Sequence, residues 1–304
     1  LLLRAWPIRA KNRTMTIPNL RRSMLCLPAS NGKALAKLAI LHCDATIYDL
    51  EDAVAPDMKE QAREALAGHF AAGPKAGVEH VIRINGLSTP WGEDDLAMVA
   101  RCRPDAVLVP KVEHAGDLAA IAGLLDAAGL PDIRLMAMIE TPKGVLNAAS
   151  IAEAHAPRLS ALIVGLNDLR KETRVPRSPD RRVLHPWLMQ VVLAARAHGI
   201  APIDAVSNDF RDLAAFDAEC AEGRAMGFDG KMLIHPAQIE AANRRFGPSD
   251  EEIAAAERTV AAFARPEAEG QGAINVDGEM VERLHLAEAQ KLLALITMQR
   301  KETP

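Results

Sequence analysis

The 304-residue chain carries 36 Lys and Arg against 40 Asp and Glu, a formal charge of −4, and 49% of it is hydrophobic. Basic and acidic residues are interleaved and aromatics make up 3%, which excludes a nucleic-acid footprint or a base-stacking platform. No apolar run reaches the roughly 18 residues a membrane span needs. Cys26, Cys43, Cys102 and Cys220 form no CxxC pair, so the expectation is free thiols in a reducing cytoplasm rather than zinc or dithiol chemistry.

Residues 1–14 (LLLRAWPIRAKNRT) carry scattered bases around Pro7, and Met15 reads as a natural beginning. The first fourteen residues are therefore expected to be an extension peripheral to the fold. From Arg22 onward, short aliphatic runs alternate with helical stretches. The runs are Met24–Leu27, Ala45–Leu50, His80–Asn85, Ala106–Pro110, Arg134–Ile139, Ala161–Gly165, Ala201–Asp204 and Gly230–Ile234. Between them, Gly32–Leu41, Lys59–Ala71, Ala115–Ala128, Val183–His198 and Asp212–Met226 carry apolar residues three and four apart. Parallel strands covered by helices follow, and eight such units predict an α/β fold closed into a (β/α)8 TIM barrel over 15–246, its first strand beginning near Ser23. A doubly wound open sheet would usually show a glycine-rich turn after its first strand, where this chain has Pro28–Ala29–Ser30–Asn31.

After Phe246 the pattern changes. Ser249 followed by Asp250, Glu251 and Glu252 predicts a capped helix to about Phe263. Asp277–Gly278 predicts a hairpin turn, and a last helix runs from about Val281 to Met298. Residues 247–304 are expected to form a C-terminal helical lid or oligomerisation arm.

In such a barrel, chemistry sits where strands end. Those places hold Asp49–Glu51–Asp52, Arg83 and Asn85, Lys111 and Glu113, Glu140, Asn167–Asp168, Asp204, and His235–Pro236. Single polar loop residues are usually surface, but seven strand ends converging on one rim favour a site. Glu140 and Asp168 suit a Mg²⁺ held by two oxygen ligands with water and substrate completing the shell. Pairing of one carboxylate with Arg83 or Lys111 is an equal alternative. Arg83 can present its planar fork to a carboxylate or enolate oxygen, to Asp49 or Glu51, or to both. His235 reads mainly as a turn cap with a minor binding role.

The segments TIYDLEDAVAPDMKEQAR, VIRINGLSTPWGEDDL, PDAVLVPKVE, MAMIETPKGVLNA and GFDGKMLIHPAQIEAANRRF, in this order, resemble the citrate lyase β-subunit-like branch of the HpcH/HpaI aldolase superfamily. That branch includes malyl-CoA and citramalyl-CoA lyases and malyl-CoA thioesterases. The resemblance implies an eight-stranded barrel, homotrimers or hexamers, and Mg²⁺, with Mn²⁺ as a substitute, on Glu140 and Asp168. It implies that Arg83 binds substrate and stabilises an oxyanion, and that Asp49, Glu51 and Asp52 orient metal-bound water and Arg83. Coenzyme A, as part of the substrate, would lie near Arg22, Asn31 and Lys33, with His235–Pro236 on the far side.

Three departures stand out. Ala29 occupies a place where the family often has glycine. The loop GLNDLRKETRV is closer to malyl-CoA lyases and thioesterases than to citrate lyase subunits. Glu282 stands where the lyases carry an aspartate donated across a subunit interface. The expected activity is a carbon–carbon lyase on a β-hydroxyacyl-CoA, giving acetyl-CoA and a 2-oxo acid. The alternatives are a malyl-CoA thioesterase, a citrate lyase β subunit working on an acyl-carrier protein, and a silent metabolite-binding barrel.

Overall fold

The computed structural model describes residues 20–302 apart from 156, 157, 177 and 179, so the expected extension over 1–14 lies outside the described residues. Eight parallel strands close into a barrel in sequence order. They are β1 (Ser23–Pro28), β2 (Ala45–Asp49), β3 (Glu79–Arg83), β4 (Ala106–Val109), β5 (Arg134–Ile139), β6 (Leu159–Val164), β7 (Ala201–Asp204) and β8 (Gly230–Leu233). Closure comes from β1 on β8, with Ser23 beside Lys231 and Leu25 beside Leu233. Gly230 makes that seam feasible, because a Cβ there would stand 1.8 Å from the Arg21 carbonyl oxygen.

Side chains alternate across a strand, and the alternation decides what faces the barrel axis. Met24, Ala45, Ile47, Val81, Ala106, Leu108, Met136, Met138, Ala161, Ile163, Ile203 and Met232 form the interior plug. Large and small residues interdigitate: Met24 lies beside Ala45 in register and Met136 beside Ala161. The intervening residues, such as Leu25, Tyr48, Ile82 and Leu162, pack outward against the helices. Each fully buried aliphatic side chain contributes about 1.5–3 kcal/mol, so both layers stabilise closure.

The helix Lys59–Ala71 has the predicted bounds, while Gly92–Cys102, Pro142–Leu146, Ala148–His155 and Leu166–Thr173 were not singled out in the sequence. The last of these, LNDLRKET, is too short and polar to show an apolar stripe. The helix after β8 ends at Phe246, and Ser249 then caps Asp250–Phe263 through a capping box with Glu252. β9 (Ala273–Val276) and β10 (Glu279–Glu282) pair antiparallel around Asp277 and Gly278, whose φ values of 53° and 93° suit a two-residue hairpin turn. The final helix, Arg283–Glu302, starts two residues later than expected because Val281 and Glu282 pair in β10. It packs along Asp250–Phe263, and Arg258 ties that helix to Asp277 at 3.1 Å.

Candidate active site

Strand alternation lifts three predicted residues directly above the plug. Asp49 follows Ile47, Arg83 follows Val81, and Glu140 follows Met138, each two residues beyond an inward-facing side chain. All three are buried. Arg83 grips Asp49 with both edges of its fork, Nε to Oδ1 at 2.7 Å and Nη2 to Oδ2 at 2.6 Å. Asp49 also accepts from the backbone amides of Glu51 and Ala53, so this carboxylate organises its own loop. The remaining end of the guanidinium, Nη1, faces Met138 Sδ at 3.8 Å and Glu51 Oε2 at 3.1 Å. Burial works against the Arg83 cation, but the Asp49 hydrogen bonds and charge outweigh it and keep it charged.

Glu51 receives the Lys111 ammonium on Oε1 at 2.6 Å. Its Oε2 is buried and, among the described residues, lacks a donor in hydrogen-bond geometry, although it lies at ion-pair distance from Arg83. Burial raises its pKa against the pull of Arg83 and Lys111. Glu140 accepts the Lys111 backbone amide on Oε1 at 2.9 Å. Burial first, and the Glu51 charge second, push the Glu140 carboxyl up to about 7. Cys26, below this layer, is pushed up to about 12 by burial first and Asp49 second, so it is an inert thiol.

Asp168, the third residue of the helix Leu166–Thr173, is half-buried. It follows Gly165, whose missing side chain is what lets Glu140 lie across the end of β6. A Cβ at Gly165 would stand 2.4 Å from Glu140 Cβ and 2.5 Å from its Oε2. The free oxygen of Glu140 therefore points at the turn that carries Asp168. A divalent cation fits this donor set: hard oxygen ligands, a glycine cradle beside one of them, and a buried Glu51 oxygen lacking a hydrogen-bond partner. Among the described residues, no group of three or more His, Cys, Asp or Glu side chains is placed to hold a metal, so the carboxylates would leave much of the shell to other ligands.

Other predicted residues divide by position. Asn31 and Lys33 are exposed just beyond β1, on the same rim, with the Asn31 side chain capping the turn through Ala34 N at 3.1 Å. His235 and Pro236 follow the neighbouring β8, where His235 accepts from Ala237 N through Nδ1 and stacks on Phe210 at 4.5 Å. Arg22 is a correction. It precedes β1, so it lies at the opposite end of the barrel, with its guanidinium held by Asp44 at 2.7 and 2.8 Å. Asp204 is a second correction. Ile203 faces the axis, so Asp204 faces the helix layer, where Arg181 and Lys231 hold it at 2.8 and 2.9 Å. Glu282 ends β10 in the arm, and its amide donates to His285 Nδ1.

Sequence reasoning overlooked the supports. Lys59 is buried beneath the DLED turn and donates to the carbonyls of Leu50 and Glu51 at 2.7 Å and to Asn85 Oδ1 at 2.9 Å. Asp95 in turn holds Asn85. The signal was present, because Lys59 shares a helix face with the buried Ala62 and Leu66. A lysine in an apolar stripe needs a polar destination.

The family profile described as HpcH/HpaI aldolase/citrate lyase matches residues 22–236. The chain belongs to this family. A (3S)-malyl-CoA thioesterase of Cereibacter sphaeroides is 48% identical over 273 residues, 90% of this chain and 93% of that protein. Citrate lyase subunit beta of Escherichia coli strain K12 is 33% identical over 280 residues, covering 90% of this chain and 92% of its own length. The solved structure of CitE from Mycobacterium tuberculosis in complex with magnesium, acetoacetate and coenzyme A is 31% identical. It superposes with a TM-score of 0.72 over 90% of this chain and 97% of that one. This member of the HpcH/HpaI family is accordingly an enzyme, and none of its described helices is long and apolar enough to cross a membrane.

Proposed function

We propose that the chain is a Mg²⁺-dependent enzyme acting on the CoA thioester of a small β-hydroxy dicarboxylic acid of the malyl type, and that hydrolysis is its main reaction. The observation that carries this is the pairing of a fixed Arg83 with a buried, hydrogen-bond-poor Glu51 oxygen above the plug. The 48% relative named a malyl-CoA thioesterase supports the choice of substrate.

Glu140 and Asp168 would hold the metal, which when bound supplies Lewis-acid polarisation of the acyl group's oxygens. Glu51, made more basic by burial, would accept a proton from water. The resulting hydroxide adds to the thioester carbon. Arg83, held rigid by Asp49, faces the oxyanion that forms there. Collapse expels the coenzyme A thiolate, which takes up the proton held by Glu51, restoring the base and leaving free coenzyme A and the hydroxy acid. Asn31, Lys33, His235 and Pro236, on the loops after adjacent strands, would flank the coenzyme.

Carbon–carbon cleavage is the second reading, favoured by the 33% identity to a citrate lyase subunit and by Glu282 as a proton carrier. Incubation with malyl-, citramalyl- and citryl-CoA, following thiol and 2-oxo acid separately, tells the two apart. Thiol without 2-oxo acid means hydrolysis. A 2-oxo acid with an intact acetyl thioester means lyase. Neither product from any free thioester would sink both.

The arm has an assembly role in this proposal. Its hairpin and last helix pack on Asp250–Phe263, while Met280 and Leu284 stay exposed at 72% and 54%. Such apolar surface suits a neighbouring subunit, with Glu282 carried to that neighbour's rim in a homotrimer or hexamer. Where Glu282→Ala and Arg83→Ala chains are each inactive alone, as the lyase reading requires, mixing them should restore some activity on reassembly. Absence of recovery in proven mixed oligomers would place Glu282 elsewhere.

A further inference from the structure

Lys111 lies just beyond β4, and its φ of 48° is in the left-handed region, which disfavours any side chain but which glycine adopts freely. That backbone aims the Lys111 amide at Glu140 Oε1, 2.9 Å away, and leaves the other Glu140 oxygen beside Gly165. Glycine would serve that purpose with less strain, so the retained side chain points to a separate task. Its ammonium lies 2.6 Å from Glu51, 3.5 Å from Asp52 and 3.9 Å from Glu140. The side chain is 42% exposed, so the cation stands at the mouth of the site rather than within its wall.

We propose that Lys111 is a positioning residue with two separable tasks. Its main-chain amide selects the Glu140 oxygen offered to a divalent cation, and its ammonium holds Glu51 while opposing that cation's charge. The proposal rests on the Mg²⁺ reading above. A fixed positive charge this close to a ligand carboxylate repels an incoming divalent ion, and screening at a half-open site reduces the effect without removing it. Turnover needs the Glu51 clamp, whereas cation affinity would be greater without the ammonium. The two tasks therefore predict opposite changes in one variant.

Lys111→Gly keeps the left-handed backbone and its amide while deleting the ammonium. Lys111→Asn does the same with a residue that tolerates this conformation, and Lys111→Arg retains the charge. Mn²⁺ affinity is measured by calorimetry and by electron paramagnetic resonance on the full-length protein. The Gly and Asn variants should bind Mn²⁺ about tenfold more tightly than wild type while kcat falls. The Arg variant should stay within about threefold in affinity. A merely damaged site would weaken Mn²⁺ binding and kcat together. Unchanged or weaker binding in both neutral variants overturns the proposal. A wild-type protein whose Mn²⁺ binding is absent, or indifferent to Glu140→Ala, overturns the metal reading along with it.

Discussion

The two ends of the barrel are each built on an arginine–carboxylate pair, to opposite effect. At the N-terminal mouth, Arg21 grips Glu79 through two bonds of 2.6 Å and gives a third N–H to the Ser160 carbonyl. At the C-terminal mouth, Arg83 grips Asp49 in the same fork geometry. One carboxylate meets one guanidinium below, and the charges there cancel. Above, Glu51, Asp52 and Glu140 crowd in as well, with Lys111 and the buried Lys59 as added cations. A buried pair that is balanced closes a barrel. One surrounded by surplus acid leaves room for a further cation and a reason to bind it.

This contrast can be broken from either side. At the upper end, Glu140→Ala or Asp168→Ala should lower kcat by about 10³-fold or more, since polarisation of the substrate is lost. Circular dichroism should change little, because neither side chain belongs to the apolar plug or the helix layer around it. Wild-type turnover by either variant in excess chelator would remove the residue from the metal site. At the lower end, Arg21→Met should reverse the pattern. It leaves Glu79, 4% exposed, without its partner, which costs about 3–5 kcal/mol in a urea melt at neutral pH. The kcat of the surviving folded fraction should be unaltered. A fall in kcat with unchanged stability would mean that the two ends are not independent.

The difference between these ends was half legible in the sequence. Strand runs and helix stripes set out the barrel, and Ala201–Asp204 and Arg134–Ile139 have the predicted limits. The inward direction of Asp49, Arg83 and Glu140 follows from counting two residues past Ile47, Val81 and Met138. The same count, applied to Ile203, excludes Asp204 from the rim, and polarity at a strand end alone misled there. Arg22 was misplaced because a motif fixes order along the chain, whereas a residue before a strand and one after it lie at opposite ends of the barrel. Lys59 and Asp95 support the site from helices: the apolar stripe around Lys59 called for a polar destination, but helical pattern does not say which carbonyls or side chain it reaches. The left-handed turn at Lys111 left no trace either, since the residue there is not glycine.

A subtler change sharpens the upper end. Gly165→Ala would place a Cβ 2.4 Å from Glu140 Cβ and 2.5 Å from its carboxylate. One of the two residues must move. The expected stability cost is about 1–3 kcal/mol, typical of an overpacked site. Because the displaced group is one of the two proposed metal ligands, Mn²⁺ affinity should weaken by about tenfold or more. Unimpaired Mn²⁺ binding in a folded Gly165→Ala protein would show that the free oxygen of Glu140 does not face the cation.

The smallest effect is expected outside the barrel mouth, where Asp204 tests whether a buried acid with balanced cations behaves like the lower end. Lys231 and Asp204 are both fully buried, and Arg181 completes the cluster with Glu219 and Glu222 alongside. Burial alone would raise the Asp204 carboxyl, but Lys231 and Arg181 outweigh it and hold the pKa below its ordinary value. An acid whose folded pKa is depressed contributes stability that is fully present above its unfolded value of about 3.9. That contribution is lost as pH falls from there through the folded value. Asp204→Asn keeps a hydrogen-bonding side chain and leaves Lys231 its bond to Glu219, so the cost at pH 7 should be about 1–2 kcal/mol. In urea melts the gap between wild type and variant should stay constant from pH 7 to about 5 and narrow below about 4. A gap that widened on acidification would mean that Asp204 is protonated in the folded protein, with its burial prevailing over Lys231 and Arg181.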